Sequence, residues 1–251
     1  MTRLTDIWRP PIKAHGFEAL EQVSLIAGQT MPWDRAWAVA HDAARLDVDT
    51  AEWAPCSNFC RGAKAPSLMA IAAQVDVAAG TVALSHPDQD AITIDPADPD
   101  DAARLIAWLR PLNPPDRAAP ARLYAVPGRG LTDSDFASVS IASHASRRAM
   151  EQKMGADLSP LRFRCNLWLD DGLAPWEEFD WIGREFSIGA VTFQAVEPIS
   201  RCNAIKANPE TGRRDIDPLA ALDRDWGHQD FGILARVVTG GTIARGDTVA
   251  L

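Results

Sequence analysis

Runs in which apolar and polar residues alternate set the strongest limit on what this chain can fold into. They fall at residues 37–40, 81–84, 91–94, 163–169, 186–196, 233–238 and 243–249. A period of two sends successive side chains to opposite faces of an extended strand, so each run can bury one face. Gly, Pro and Asp separate the runs, and strands at such intervals predict a sheet or barrel rather than a helical bundle. Thr239-Gly240-Gly241-Thr242, between the last two runs, reads as a hairpin turn. Helical signals are fewer. Asp98-Pro99 is a cap and first-turn proline opening residues 100–110, where Ala102, Leu105, Ile106 and Leu109 recur at helical spacing. A second helix is predicted over 145–154, stopping at Gly155, and a third from Asp217-Pro218 to Trp226-Gly227. The fold class is therefore mainly β with a few helices, an α+β chain.

At 251 residues the chain can form one large β domain or two of roughly 100 to 150 residues. Pro111-Leu112-Asn113-Pro114-Pro115-Asp116 is unsuited to regular structure and predicts a junction there, dividing the chain into 1–113 and 114–251. No internal repeat or low-complexity tract interrupts either part.

Charge excludes several function classes. Thirty-four acidic against 25 basic residues leave a net charge of −9, which disfavours nucleic acid or an anionic membrane surface while still allowing a local basic pocket. The N-terminal residues carry Arg3, Asp6 and Arg9 and no apolar core of a secretory signal, and no stretch approaches the roughly 20 apolar residues of a membrane span. A cytoplasmic protein is expected, with Cys56, Cys60, Cys165 and Cys202 mostly reduced.

Common catalytic signatures are absent. Cys56 and Cys60 lack the second ligand pair of a zinc site, the five histidines show no i,i+4 pairing, and neither a phosphate loop nor a Gly-x-Ser-x-Gly elbow occurs. Two features remain. In Ser200-Arg201-Cys202-Asn203, Arg201 is expected to favour the thiolate of Cys202, the form that acts as a nucleophile or soft-metal ligand; a buried structural thiol is the alternative. Alternation over 162–169 puts Arg164, Asn166 and Trp168 on one strand face, which suits either an anionic ligand or solvent, and leaves Cys165 on the other. Trp33, Trp37 and Trp168 are candidates for the wall of such a pocket, with Cys56, Cys60 and Cys165 as packing thiols.

Taken in order, these segments resemble proteins with a molybdenum cofactor sulfurase C-terminal (MOSC) domain preceded by an N-terminal β-barrel partner, among them the amidoxime-reducing components. Pro11-Ile12-Lys13 looks like the family's Pro-Val/Ile-Lys-Ser start, and Trp33-Asp34-Arg35-Ala36-Trp37 like Gly-Asp-Arg-x-Trp. Ser143-His144-Ala145-Ser146 resembles a Ser-x-Ala-Ser helix start, and residues 162–166 resemble Arg-Phe-Arg-Pro-Asn. Ser200-Arg201-Cys202 resembles Ser/Ala-Arg-Cys, and Asn208-Pro209-Glu210-Thr211-Gly212 the turn Asp-Pro-x-Thr-Gly. The departures are Ala14 for Ser, Trp33 for Gly, Cys165 for Pro, and Asn203 and Lys206 after the cysteine.

The resemblance implies a MOSC-type β-barrel domain after a smaller barrel-like one, and a bound molybdenum cofactor (Mo-molybdopterin). Cys202 would be the metal's thiolate ligand and catalytic residue. Lys13, Arg35, Arg164 and Arg201 would hold the pterin and its phosphate, with Ser143, Ser146, Asn166 and Ser200 adding hydrogen bonds. The implied activity is reduction of N-hydroxylated compounds. No Cys-rich iron–sulfur segment follows Leu251, so electrons are expected from a separate donor protein of the ferredoxin or cytochrome b5/flavin reductase type. A non-redox carrier of cofactor or sulfur is the rival reading.

Overall fold

The computed structural model describes residues 1–47 and 50–251. Along the N-terminal half the strands are β1 (Leu4–Arg9), β2 (Ile12–Lys13), β3 (Glu18–Leu20), β4 (Gln22–Leu25), β5 (Trp37–His41), β6 (Ala72–Asp76), β7 (Thr81–His86) and β8 (Gln89–Ile94), followed by helix α1 (Pro99–Leu109). Then come β9 (Pro120–Ala125), β10 (Val139–Ser143), helix α2 (His144–Met154), β11 (Leu167–Leu169), β12 (Glu185–Ile188) and β13 (Val191–Ser200). Helix α3 (Pro218–Trp226), β14 (Asp230–Thr239), β15 (Gly241–Ala244) and β16 (Val249–Ala250) complete the order. Strands outweigh helices, as the alternation predicts, and the class is mainly β with three α-helices among the described residues.

The largest sheet runs β16-β12-β13-β14-β10-β11-β1-β3, antiparallel except for β10 against β11. Its inner face buries Leu4, Ile7, Val139, Ile141, Leu167, Phe193, Ile233 and Ala235 with Trp181 and Phe186. A second core forms where α1 lays Leu105, Ile106 and Leu109 against Ile12, Val39, Val82, Leu84 and Ile94. Each such leucine or isoleucine, removed from water, contributes roughly 1.5–3 kcal/mol before ordering costs. The caps hold: Asp98 accepts from the amides of Asp100 and Asp101, Ser143 from Ser146 N and Asp217 from Ala220 N. Helices α2 and α3 end at Gly155 and Gly227, both left-handed, where a glycine lacks the Cβ that would clash.

Two expectations are corrected. Residues 239–242 do not form a hairpin, because β14 is already paired on both edges, with β13 and β10; β15 pairs instead with β4, Ile243 opposite Val23. The strand expected over 163–169 is confined to Leu167–Leu169. Residues 160–162 form a 3-10 turn capped by Ser159, and Arg164 at φ +53° breaks the extension that alternation requires.

Chain order and spatial grouping also differ. Strands β1 and β3 join the large sheet and β4 takes β15, while β9, beyond the proline-rich segment, pairs with β5. Hydrogen bonding thus crosses residue 113 in both directions, and a division at 113/114 is proposed as a boundary in chain order alone.

Candidate functional site

Both halves meet around a cavity of about 370 Å³. From the N-terminal half it takes Lys13, Ala14, Arg35, Trp53, Cys56, Arg61 and Met69; from the C-terminal half, Asp133, Ser140, Arg162, Arg164, Ser200, Arg201 and Cys202. Six basic side chains line it (Lys13, Arg35, Arg61, Arg162, Arg164, Arg201) against one acid, Asp133. In a chain of net charge −9, that is a local reversal of charge, and its field attracts anions.

Short backbone links bring the cations together. Strand β2 pairs in parallel with β5, Ile12 opposite Trp37, and Arg35 N donates to Pro10 O at 2.6 Å. Leu131 N donates to Arg35 O, and Lys13 Nζ to Leu131 O at 2.7 Å, which ties the 131–133 segment to both. Arg35 Nη2 reaches Arg164 O at 3.1 Å. Ala14, Trp33, Arg35 and Arg164 all have positive φ, between +48° and +66°. Left-handed backbone at such residues costs on the order of 1 kcal/mol or more each, and its concentration here is characteristic of functional sites. Trp33, where the family pattern has Gly, sits in the tight turn closed by Asp34 N to Met31 O, so the pattern's Gly answers a conformational need that Trp33 meets under strain.

Charge balance inside the cluster is uneven. Asp34, 1% exposed, takes both its carboxylate oxygens to Arg35 Nη1 at 3.0 and 2.7 Å. Lys13 Nζ meets Asp133 Oδ1 at 2.6 Å. Arg164 donates Nη2 to Gly16 O and lies over the Phe17 ring, but its buried Nη1 has no partner. Burial, then repulsion from Arg35, pushes its pKa down to about 9, so it remains a cation at neutral pH. Arg162 pairs with Asp215 at 2.7 Å and also leaves a buried Nε without a partner. Buried donors without acceptors are rare in folded chains, and here they border a cavity lined with positive charge.

Cys202 is exposed and lines the cavity, at the start of the 3-10 turn Asn203–Lys206. Arg201 does not serve it in the way expected. Its Nε and Nη2 go to Phe231 O, its Nη1 to Phe163 O at 2.7 Å and its Nη2 also to Cys165 Sγ at 3.1 Å, with the guanidinium over the Phe163 and Phe231 rings. Consecutive side chains on extended backbone point apart, so adjacency in sequence does not bring Arg201 to Cys202.

Ser143, Ser146 and Asn166 lie outside the cavity lining. Both serine hydroxyls, at the α2 cap, donate to the buried carboxylate of Glu178, which takes the place of an external anion at that helix start. Asn166 is fully buried, accepts from Ser140 N and Oγ through Oδ1, and donates Nδ2 to Trp8 O, stitching β10 to β1. Ser200 lines the cavity. The tryptophans are redistributed too: Trp168 is core, Trp33 packs on Trp37 at 5.1 Å, and Trp53 forms the wall.

Sequence reasoning missed Cys56, taken as a packing thiol. It faces the cavity and accepts from Arg61 Nη1 at 2.8 Å. Cys60 and Cys165 are buried, and burial pushes the Cys60 thiol up to about 11. The signal for Cys56 was the adjoining Arg61, read only against zinc spacing. Asp133 and Arg162 carried no local signal, because only tertiary contacts bring them to Lys13 and Arg35.

Among the described residues no group of three or more His, Cys, Asp or Glu could hold a metal ion, and no helix is long and apolar enough to cross a membrane. A molybdenum cofactor sulfurase of Drosophila ananassae is 33% identical over 114 residues, 43% of this chain and 14% of that protein. One from Anopheles gambiae is 32% identical over 117 residues, 42% of this chain and 15% of that protein. The chain thus spans about one seventh of the length of these relatives. Among solved structures, YuaD from Bacillus subtilis aligns with 99% of this chain and 94% of its own at 12% identity and TM-score 0.45. YiiM from Geobacillus stearothermophilus aligns with 45% and 53% at 19% identity and TM-score 0.34. Lys13, Arg35, Cys56 and Arg61 come from outside the segment that matches a family model, and Cys202 from inside it. That segment, residues 129–250, is a MOSC domain, homologous to the C-terminal region of molybdenum cofactor sulfurases.

Proposed function

We propose that the cavity binds a molybdenum cofactor and that the protein reduces N-hydroxylated compounds with electrons from a separate donor protein. The observation that carries this reading is the lining itself: six cations, one acid and an exposed thiol, on a chain that is acidic overall. A pterin cofactor brings a phosphate and heteroatom-rich rings, which guanidinium groups bind through paired donors. The unpartnered Nη1 of Arg164 and Nε of Arg162 fit that demand, as does the remaining N–H of Lys13 beyond its bonds to Leu131 and Asp133.

In this reading Lys13, Arg35 and Arg164 hold the phosphate, and Arg201, fixed by carbonyls and by two phenyl rings, sets the position of the segment bearing Cys202. Cys202 is the thiolate ligand, a soft donor suited to molybdenum. When bound, the cofactor supplies the two-electron exchange that converts an N-hydroxyl group, with two protons, to amine and water. Trp53, Met69 and Ile199 furnish apolar wall that can exclude water from the substrate. Ser143, Ser146 and Asn166 support the site from behind, through the α2 cap and the β10–β1 junction. A cytoplasmic location agrees with the charge and the reduced thiols.

Carriage of cofactor or sulfur without redox turnover is the second reading, and Cys56 favours it, since two thiols then share one cavity. Elemental analysis of protein from a cofactor-competent host tests the first. Near-stoichiometric molybdenum is expected in the native chain, with at least about a tenfold loss in Cys202→Ala, as for removal of a principal ligand. Metal-free native protein overturns the reading, and molybdenum unchanged in Cys202→Ala overturns the ligand assignment. Reduction of a simple amidoxime with an artificial donor then separates reductase from carrier.

A further inference from the structure

Asp133 is the one acid in a cavity otherwise lined by bases, and it sits on the cations that an anionic ligand would need. Its carboxylate meets Lys13 Nζ at 2.6 Å, yet its side chain is 61% exposed while that of Lys13 is 5% exposed. The pair therefore joins a fixed, buried cation to a carboxylate free to turn into water. Asp133 lies outside any helix or strand, on the segment between β9 and β10, so no element fixes its rotamer. Because the carboxylate side of the pair is open to water, a stronger ligand for Lys13 can replace it.

The local charge count shows what Asp133 does. Arg35 is neutralised by Asp34, whose carboxylate it grips with Nη1. Lys13, Arg164 and Asp133 remain, a net charge of +1 with the carboxylate in place and +2 with it withdrawn. We propose that Asp133 is a displaceable internal counter-ion, a stand-in that neutralises Lys13 in the empty cavity and must swing away to admit a phosphate-type dianion. This rests on the reading of Lys13, Arg35 and Arg164 as an anion site, and it adds a selecting residue to that site. With Asp133 in place the cluster suits a monoanion; with Asp133 displaced it matches a dianion, so the carboxylate sets a threshold that weak anions do not pass. Glu or Asp at such a position lowers affinity for every anion while keeping the empty Lys13–Arg35–Arg164 cluster from carrying two uncompensated cations.

Titration calorimetry with inorganic phosphate near pH 8, with nitrate as the monoanion probe, tests this on the native chain, Asp133→Asn and Lys13→Ala. Asp133→Asn is expected to bind phosphate roughly tenfold more tightly than the native chain, the scale of removing one like charge next to the ligand. Nitrate should gain less than phosphate, and Lys13→Ala should lose phosphate binding. Thermal melting of Asp133→Asn and Asp133→Ser, each with and without phosphate, guards against a folding defect: phosphate should raise their midpoints more than that of the native chain. Equal or weaker phosphate binding by both Asp133 variants overturns the counter-ion role while leaving the cation site intact. No phosphate binding by any of the chains, by heat or by melting, overturns the anion site and the counter-ion together.

Discussion

Glu178 shows how one buried carboxylate can answer a sequence motif and remove it from the site. It is 0% exposed, accepts from Ser143 Oγ and Ser146 Oγ, and lies at the start of α2, where backbone N–H groups and the helix dipole favour an anion. Burial nevertheless pushes its pKa above the usual carboxylate range, the hydrogen bonds offsetting only part of the cost. The sign follows from linkage: a carboxyl that holds its proton more tightly when folded favours the folded state at low pH. That contribution is lost as pH rises from the unfolded value, about 4.5, through the higher folded one. Glu178→Gln cannot ionise, so its stability relative to the native chain should rise over that window. Chemical denaturation of both chains at several pH values between about 4 and 8 measures the difference. A difference that stays flat, or that falls as pH rises, removes the assigned shift and makes Glu178 an ordinary ionised cap partner.

At the scale of elements, the segment from Gly130 to Asp133 deserves the next test because it connects the cation cluster to β10. A Cβ at Gly130 would lie 2.2 Å from Asp34 O and 3.0 Å from Thr30 Oγ1, the hydroxyl that accepts from Gly130 N. Gly130→Ala must therefore push the 30–35 turn away from 130–133, at a cost of roughly 1–3 kcal/mol. The loss should appear as a lower melting temperature together with weaker anion binding, since Lys13 is bonded to Leu131 O and Asp133. A variant as stable as the native chain would show that the turn can give way freely. Helices α1, α2 and α3 were legible because their caps, Asp98, Ser143 and Asp217, act within a few residues of chain. Cys202, Arg35, Lys13 and Arg164 were legible through ordered motifs. Arg162 and Asp133 were not, since their roles arise from contacts 50 or more residues away, Arg162 with Asp215 and Asp133 with Lys13. Alternation failed over 163–166 for a local reason it cannot encode, the positive φ of Arg164.

Over the whole molecule, the pairing of strands decides whether the two halves are separable. Residues 114–251 alone would lack β1, which lies between β11 and β3 in the large sheet, and β4, the partner of β15. Leu4, Ile7, Val23, Leu25 and Met31 would then leave the core they share with Ile141, Leu167, Ile233 and Ile243. Five large side chains removed from one core amount to roughly 10 kcal/mol of lost burial, as much as the whole stability of an ordinary domain. The exposed edges of β11 and β15 would also invite pairing with other chains. A fragment of residues 114–251 is thus expected to aggregate or to lack cooperative unfolding, whereas a chain nicked near residues 114–118 should stay associated and keep its melting transition. Circular dichroism melts of the two preparations decide between these outcomes. A fragment that unfolds cooperatively near the native midpoint would show that the MOSC segment folds on its own and that residues 1–113 are an accessory. Failure of the fragment makes the cavity a property of the joined chain, because Lys13, Arg35, Cys56 and Arg61 reach Cys202 only when the N-terminal strands complete the C-terminal sheet.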